Sequence, residues 1–292
     1  MCKLSNSYIS SYCKIFYMSK KMLEDEGISI PMITTLHGTD ITLVGSHPFY
    51  KKAVQFSINN SEYVTAVSQS LKEDTERLFE VSKDIRVIPN FIDLSKTHKK
   101  NVFCNKDVIA TGDQFVITHI SNFRPLKRII DILNVFEKVR KKLNVKLLMV
   151  GDGPEKERAK RYCRAHKLDD SVLFLGNSNE IDEILCFTDL FLLPSEQESF
   201  GLVALEAMIH SVPVVCSDVG GLPEVVENGY SGYLCPVGDI NAMAEKSIYI
   251  LENEERHEQF KKQAYECSKK FDIKNVIVHY ENLYEEAIKI SD

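Results

Sequence analysis

The stretch SEQESFGLVALEAM at residues 195–208 sets Glu198 and Glu206 on either side of an apolar run that opens Ser-Phe-Gly. Both an amphipathic helix and a reaction centre produce that spacing. A strand-like run, LFLLP, ends at Pro194; a short polar loop follows, and the pattern predicts a helix beginning near Phe200-Gly201. The first N–H groups of such a helix have no partner one turn back and point at whatever occupies the sheet edge. One to two turns inside, Glu206 is placed to take both hydroxyls of a ribose. Glu198, ahead of the helix, is free to accept hydrogen bonds from a sugar. Glycoside hydrolysis also uses two carboxylates, as acid and as nucleophile or base across one bond, but it needs no nucleotide site beside them.

Three further stretches bear on that choice. In KLLMVGDGPEKERAK a buried strand runs into Gly151 and Gly153, and Pro154 is expected in the first turn of the next helix, where its missing N–H costs nothing. Such a turn brings backbone close to a phosphate, although an ordinary strand-to-helix connection reads the same way. In SNFRPLKRIID, Arg124, Lys127 and Arg128 follow the strand FVITHIS, at the carboxyl end where α/β folds hold ligands. Cations there suit a diphosphate and offset charge growing on a leaving nucleotide; a basic loop taken singly is more often solvated surface. In TTLHGTDITLVG, His37 ends a strand beside Gly38. A lone histidine is usually structural, but this one sits at a ligand edge. Together the phosphate features favour group transfer over hydrolysis.

The elements that must position these residues alternate between short apolar runs and longer amphipathic ones, the signature of β-α units and a parallel sheet. Strands are predicted at PMITTL, YVTAVS, IRVIP, FVITHIS, KLLMVG, VLFLG, LFLLP, PVVCSD and GYLCP. Helices are predicted at SLKEDTERLFEV, RIIDILNVFEKVRKKL, EKERAKRYCRAHKL, NEIDEILCFT and IKNVIVHYENLYEEAIKI, besides the run after Phe200. Polar, turn-forming residues at 94–111 read as a linker. Residues 112–270 then make a complete Rossmann-like domain, and 271–292 a helix packing back toward the first domain. Residues 1–93 supply only about three strands, fewer than a doubly wound domain carries.

With 292 residues, 44% of them apolar and 27% charged, the chain has the composition of a globular protein and the length for two domains or one large one. A net charge of -6 excludes general attraction to nucleic acid or anionic lipid. No run approaches the length of a membrane span, and the opening residues lack the apolar block of a secretion signal, so the expected compartment is the cytoplasm. The eight cysteines contain no C-x-x-C pair and are expected to be reduced and mostly buried; neither they nor the histidines have zinc spacing.

With these elements in order, the chain resembles the retaining glycosyltransferases of the GT-B fold in family 4. The resemblance rests on the E-x7-E element of Glu198 and Glu206, the Gly-x-Gly-Pro turn, the basic loop and GGLPEVVENGYSGYL, and covers about residues 31–290. TTLHGTDITLVG, ISNFRPLKR, VGDGPEKE and ESFGLVALEAM are similar to the branch that serves bacillithiol biosynthesis. The resemblance implies an α/β fold of two Rossmann-like domains facing a cleft, the first incomplete. It further implies a UDP-GlcNAc donor, L-malate as acceptor, retention at the anomeric carbon and no metal; no D-x-D pair follows a strand.

By position, the resemblance implies that Glu198 and the backbone of Phe200, Gly201 and Leu202 hold the sugar and phosphates, with Gly151 and Gly153 beside them. Glu206 would hold the ribose, Arg124 with Lys127 the diphosphate, and Asn177 in FLGNSNE the uracil, largely through backbone. His37 would face the transferred sugar, with Thr35, Gly38 and Thr39 on the acceptor side. A homodimer is among the expected assemblies.

The chain departs from the pattern in three places. The family's opening strand and Gly-rich loop have no counterpart, an expected shortfall on the order of 80 residues of a normal domain. Little or no transfer is therefore expected of the 292-residue form. Gln55 stands where relatives commonly carry a basic residue, and His210-Ser211 replace a Cys-Gly at a helix end where glycine tolerates positive φ. A UDP-sugar-binding protein without turnover and a family 4 enzyme with another acceptor are the alternative readings.

Overall fold

The structure, a computed structural model, describes residues 9–38, 41–42, 48–97, 106 and 109–291. Its contacts divide the chain into two compact units, residues 1–91 with 273–292 and residues 92–272. The segment expected as a linker lies largely outside the described residues; its start forms a short helix, Leu94–Thr97.

The first unit contains a three-stranded parallel sheet in the order β1 (Ile33–Leu36), β2 (Tyr63–Ala66), β3 (Ile85–Val87). Helices α1 (Ile9–Asp25), α2 (Pro48–Asn59) and α3 (Gln69–Leu78) accompany it. Glu62 ties α1 to the sheet, accepting from Lys20 Nζ and from the Met32 N–H at 2.6 Å. The Ser68 hydroxyl caps α3 by accepting the Leu71 N–H at 3.1 Å. The chain's last helix also belongs to this unit: its Val276 and Leu283 bury against Ile88, and Glu286 pairs with Arg86 at 2.8 Å.

The second unit is a six-stranded parallel sheet in the order β6-β5-β4-β7-β8-β9. The strands are β4 (Phe115–Ile120), β5 (Val145–Val150), β6 (Val172–Gly176), β7 (Leu190–Leu193), β8 (Val214–Ser217) and β9 (Gly232–Cys235). Counted from β4 this is the doubly wound order, in which the direction of winding reverses between β4 and β7. The residues of β7 and β8 are buried throughout, as strands covered by helices on both faces must be. Completing the chain order after α4 (Leu94–Thr97), the helices are α5 (Ile129–Val139), α6 (Lys156–Ala165), α7 (Ile181–Cys186), α8 (Leu202–Ile209) and α9 (Leu222–Val225). They continue with α10 (Ile240–Leu251), α11 (Glu254–Ser268) and, in the first unit, α12 (Ile273–Ser291).

All nine strands fall where the apolar runs predict them. Six helices do not follow from that reading: α1, α2, α4, α9, α10 and α11. For the last two the signal is in the caps, since Asp239 and Asn253 accept from Ala242 and Arg256 N–H groups at 2.9 and 2.8 Å. Pro154 lies in the turn ahead of α6, which begins at Lys156, and not inside its first turn. Cys163, Cys216, Cys235 and Cys267 are free and buried as expected, whereas Cys186 at the end of α7 is disulfide-bonded, against the expectation that every cysteine is reduced.

Candidate functional site

The loops leaving β4 and β7 stand on either side of the switch point of the sheet. The loop after β4 runs through Ser121 to Arg124 and then makes a 3-10 turn, Pro125–Lys127. Two of its residues, Phe123 (φ 38°) and Arg128 (φ 51°), hold left-handed backbone although neither is glycine. The turn between them aims Lys127 inward, and its Nζ donates to Glu198 Oε1 on the loop after β7. The same oxygen accepts the Ser195 hydroxyl at 2.9 Å, and the Glu196 N–H donates to the Leu126 carbonyl at 2.7 Å. The two loops are thereby laced by side chain and backbone.

The basic residues of this loop do different work. Lys127 and Glu198 keep only 15% and 12% of their side chains exposed. Arg124 stands exposed at the head of the turn and forms no ion pair among the described residues. Arg128 donates from Nε to Asp131 at 2.5 Å, on its own helix. The geometry therefore separates Arg124 from Lys127, which the sequence pattern treats as a pair.

The Gly-x-Gly turn has a packing reason. A Cβ on Gly151 would lie 1.8 Å from the Ser121 carbonyl oxygen, and one on Gly153 2.1 Å from that of Asn122. Only glycine lets this turn approach the loop that carries Lys127. The Gly151 N–H donates to Gly176 at 2.7 Å, and the Gly153 N–H to Asp152 Oδ1 at 2.8 Å. These glycines thus serve the site by supporting the basic loop, with their own N–H groups already engaged.

Across the switch point, Gly201 (φ 92°) caps α8, where a Cβ would meet Leu222 at 2.5 Å. Phe200 is buried and packs edge-on against Phe271 at 5.4 Å, while Leu202 is exposed. Gly220 and Gly221 close on the Glu198 loop: the Gly221 N–H donates to the Glu198 carbonyl at 2.9 Å, and a Cβ on Gly220 would lie 1.8 Å from that oxygen.

One to two turns into α8, Glu206 is half-buried and has no hydrogen bond or ion pair among the described residues. Burial pushes its carboxyl up to about 7, and the neighbouring Asp182 acts in the same direction. His210, one turn further on, bonds Asp182 through Nε2 at 3.1 Å. Such a carboxyl is short of donors, and two adjacent hydroxyls would supply them. Ser211 holds φ 59°, the left-handed backbone for which glycine is the usual choice at this helix end.

The remaining predicted residues are placed as follows. Asn177 is exposed on the loop after β6, and His37 is exposed at the end of β1 in the first unit. The Thr35 hydroxyl is committed within that unit, accepting from Thr65 at 2.9 Å and hydrogen-bonded to Tyr280 of α12. Gly38 is buried at φ 119°, and its carbonyl accepts the Thr42 hydroxyl at 3.1 Å. Thr39 lies outside the described residues. Gln55 donates to the Glu80 carbonyl at 3.2 Å.

Ser195, Asp182 and the Gly220-Gly221 pair escape the sequence reading as site residues. Asp182 leaves no local signal, because it acts on residues distant in sequence, whereas Ser195 lies three residues before its partner Glu198. Among the described residues no group of three or more His, Cys, Asp or Glu could hold a metal ion, and no helix is long and apolar enough to cross a membrane.

Comparison with known proteins bears on this site. Residues 105–267 match the family "Glycosyl transferases group 1", and residues 16–96 match "Glycosyltransferase Family 4". The chain is 40% identical to N-acetyl-alpha-D-glucosaminyl L-malate synthase of Bacillus anthracis over 94% of its own length and 71% of that protein's. An uncharacterized glycosyltransferase of Methanocaldococcus jannaschii is 27% identical over 89% of this chain and 69% of its own. Among solved structures, HepE of Anabaena in complex with UDP-glucose superposes with a TM-score of 0.82 at 20% identity, over 95% of this chain and 77% of that one. TarM of S. aureus, solved with UDP and alpha-GlcNAc-glycerol, gives 0.73 at 25% identity, over 87% of this chain and 50% of that one.

Proposed function

The chain belongs to the glycosyl transferases group 1 family and has an α/β fold of the GT-B type, and from that premise we propose that it transfers N-acetylglucosamine from UDP-GlcNAc to L-malate with retention. The name of the Bacillus anthracis relative supports the donor sugar and the acceptor. The observation that carries the reading is the arrangement at the switch point: a half-buried cation, Lys127, meets a sugar-side carboxylate, Glu198, while Glu206 has no ion pair among the described residues.

In this reading Glu206 accepts from the ribose hydroxyls, and Lys127 and the amino end of α8 face the diphosphate. As the bond from the anomeric carbon to the β-phosphate oxygen breaks, its electron pair leaves with UDP, and these preorganised groups meet the charge that grows there. The malate hydroxyl oxygen bonds to the same face of the sugar and gives up its proton to the departing β-phosphate oxygen. Glu198 orients the sugar hydroxyls. The transfer is proposed to need no metal, in keeping with the lack of a D-x-D pair after any strand.

The test is release of UDP from UDP-GlcNAc with and without L-malate, with and without EDTA, and NMR assignment of the product's anomeric configuration. This reading requires malate-dependent, chelator-resistant formation of the α-linked product, whereas the sequence expectation of little or no transfer by the 292-residue form would show as UDP binding without turnover. Binding of UDP without turnover would point to a binding protein, turnover only with other hydroxy acids to another acceptor, and a β-linked product would overturn retention.

A further inference from the structure

The basic loop rests on a buried histidine to which the proposed reaction assigns no part. His119, in β4, is fully buried, its ring stacked near those of Phe123 at 6.2 Å and Phe191 at 6.5 Å. Nδ1 lies 2.9 Å from the Leu192 carbonyl oxygen on β7, and Nε2 lies 2.7 Å from the Ser121 hydroxyl. A carbonyl oxygen only accepts, so Nδ1 carries the proton. In the neutral ring Nε2 must then accept, so Ser121 donates to it. The Ser121 oxygen is left to accept the Phe123 N–H, at 3.2 Å.

Every polar atom of this chain therefore has one role, and its far end is Phe123, whose left-handed backbone at φ 38° costs energy for a residue with a Cβ. The Phe123 carbonyl is held as well, accepting the Glu155 N–H at 3.0 Å from the turn that Gly153 brings close. Phe123 is the bend that sends the chain into the 3-10 turn ending at Lys127.

We propose that His119, as a neutral Nδ1–H imidazole, is a positioning residue for the diphosphate subsite: through Ser121 it holds the strained bend at Phe123 and so fixes where Lys127 stands. Protonation would convert Nε2 from acceptor to donor and turn the Ser121 hydroxyl proton away from it. The surroundings oppose it, since burial, and secondarily the nearby Lys127 charge, hold the ring's pKa down to about 3. The histidine also spans the switch point, joining β4 to β7, the strands whose loops supply Lys127 and Glu198.

The inference rests on the donor-binding reading of this unit, and the test separates the two. UDP affinity is measured by calorimetry and uridine affinity by ligand-observed NMR, for the wild type, His119→Phe, His119→Gln and Ser121→Ala. His119→Phe keeps a ring between the two phenylalanines and removes both hydrogen bonds; Gln restores an acceptor for Ser121. We expect UDP binding to weaken roughly tenfold in His119→Phe and Ser121→Ala, to recover in His119→Gln, and uridine binding to stay as in the wild type. A purely structural role would lower both affinities together. Nitrogen-15 spectra of the wild type should show Nδ1 protonated and Nε2 bare from pH 8 to pH 5. If the wild type binds no UDP, the donor reading fails and the inference with it. If the wild type binds UDP and Ser121→Ala binds it equally, or if Nε2 carries the proton, the inference alone is overturned; Ser121→Ala decides the matter should His119→Phe not fold.

Discussion

Lys127 Nζ donates a hydrogen bond to Glu198 Oε1 across the switch point of the second unit, joining residues 71 positions apart in a pair that water scarcely reaches. The charges of the two loops thereby satisfy each other. In the proposed reading a diphosphate there offers Lys127 a second anion, so donor binding would exchange one charged partner for another without leaving the cation unpaired.

That exchange separates the two partners by mutation. Lys127→Ala should weaken UDP binding by about 2 to 3 kcal/mol through loss of a charge-assisted bond. Glu198→Gln keeps an acceptor for Ser195 while removing the competing charge, so UDP should bind as tightly as before or roughly threefold more tightly, while UDP-GlcNAc loses its advantage over UDP. Calorimetry with both ligands checks this; parallel losses in the two variants would contradict the division of roles.

Glu206 makes the unit sensitive to pH. Its folded pKa, about 7, lies above the ordinary 4.5, so the folded state holds a proton that the unfolded state has released. The stabilisation is complete below about 4.5 and is lost as pH rises through 7. Glu206→Gln should therefore match the wild type at pH 4.5 and exceed it by about 2 kcal/mol at pH 8, read from urea melts. UDP affinity should run the other way in the wild type, rising from pH 6 to pH 8 as the carboxylate forms, and should stay flat in the variant.

Glycine positions with similar φ should respond very differently to a methyl group. At Gly220 a Cβ would sit 1.8 Å from the Glu198 carbonyl oxygen, whereas at Gly27 nothing lies within 4 Å. Gly27→Ala should cost only the left-handed backbone, about 1 kcal/mol, and leave UDP binding alone. Gly220→Ala should cost about 3 kcal/mol or more and weaken UDP binding, because the displaced backbone is that of Glu198. Thermal melts paired with UDP titration distinguish the two.

Ser211 carries the reverse prediction. Its φ of 59° strains a residue with a Cβ, so Ser211→Gly should raise stability by about 0.5 to 1 kcal/mol with UDP affinity unchanged. A lower melting temperature would show that the serine has contacts outweighing the strain.

The sequence by itself determined the order of strands along the chain and the stations of the site. An apolar run bounded by turn residues has one favourable fate, burial as a strand between layers of helix, and nine such runs became nine strands. The carboxyl ends of β4 and β7 then had to hold the basic loop and the Glu198-to-Glu206 segment. Tertiary structure alone decided which cation reaches the carboxylate. Arg124, Lys127 and Arg128 share one short loop, and left-handed backbone at Phe123 and Arg128 turns Lys127 inward while Arg124 stays in water. It also decided that Gly151 and Gly153 support that loop through close packing, that burial and Asp182 raise the Glu206 carboxyl, and that the histidine of an apolar strand comes near Lys127. Periodicity registers which face of an element is buried. It carries no information about which residues from distant elements meet there, and charge, strain and hydrogen bonding in this site depend on those meetings.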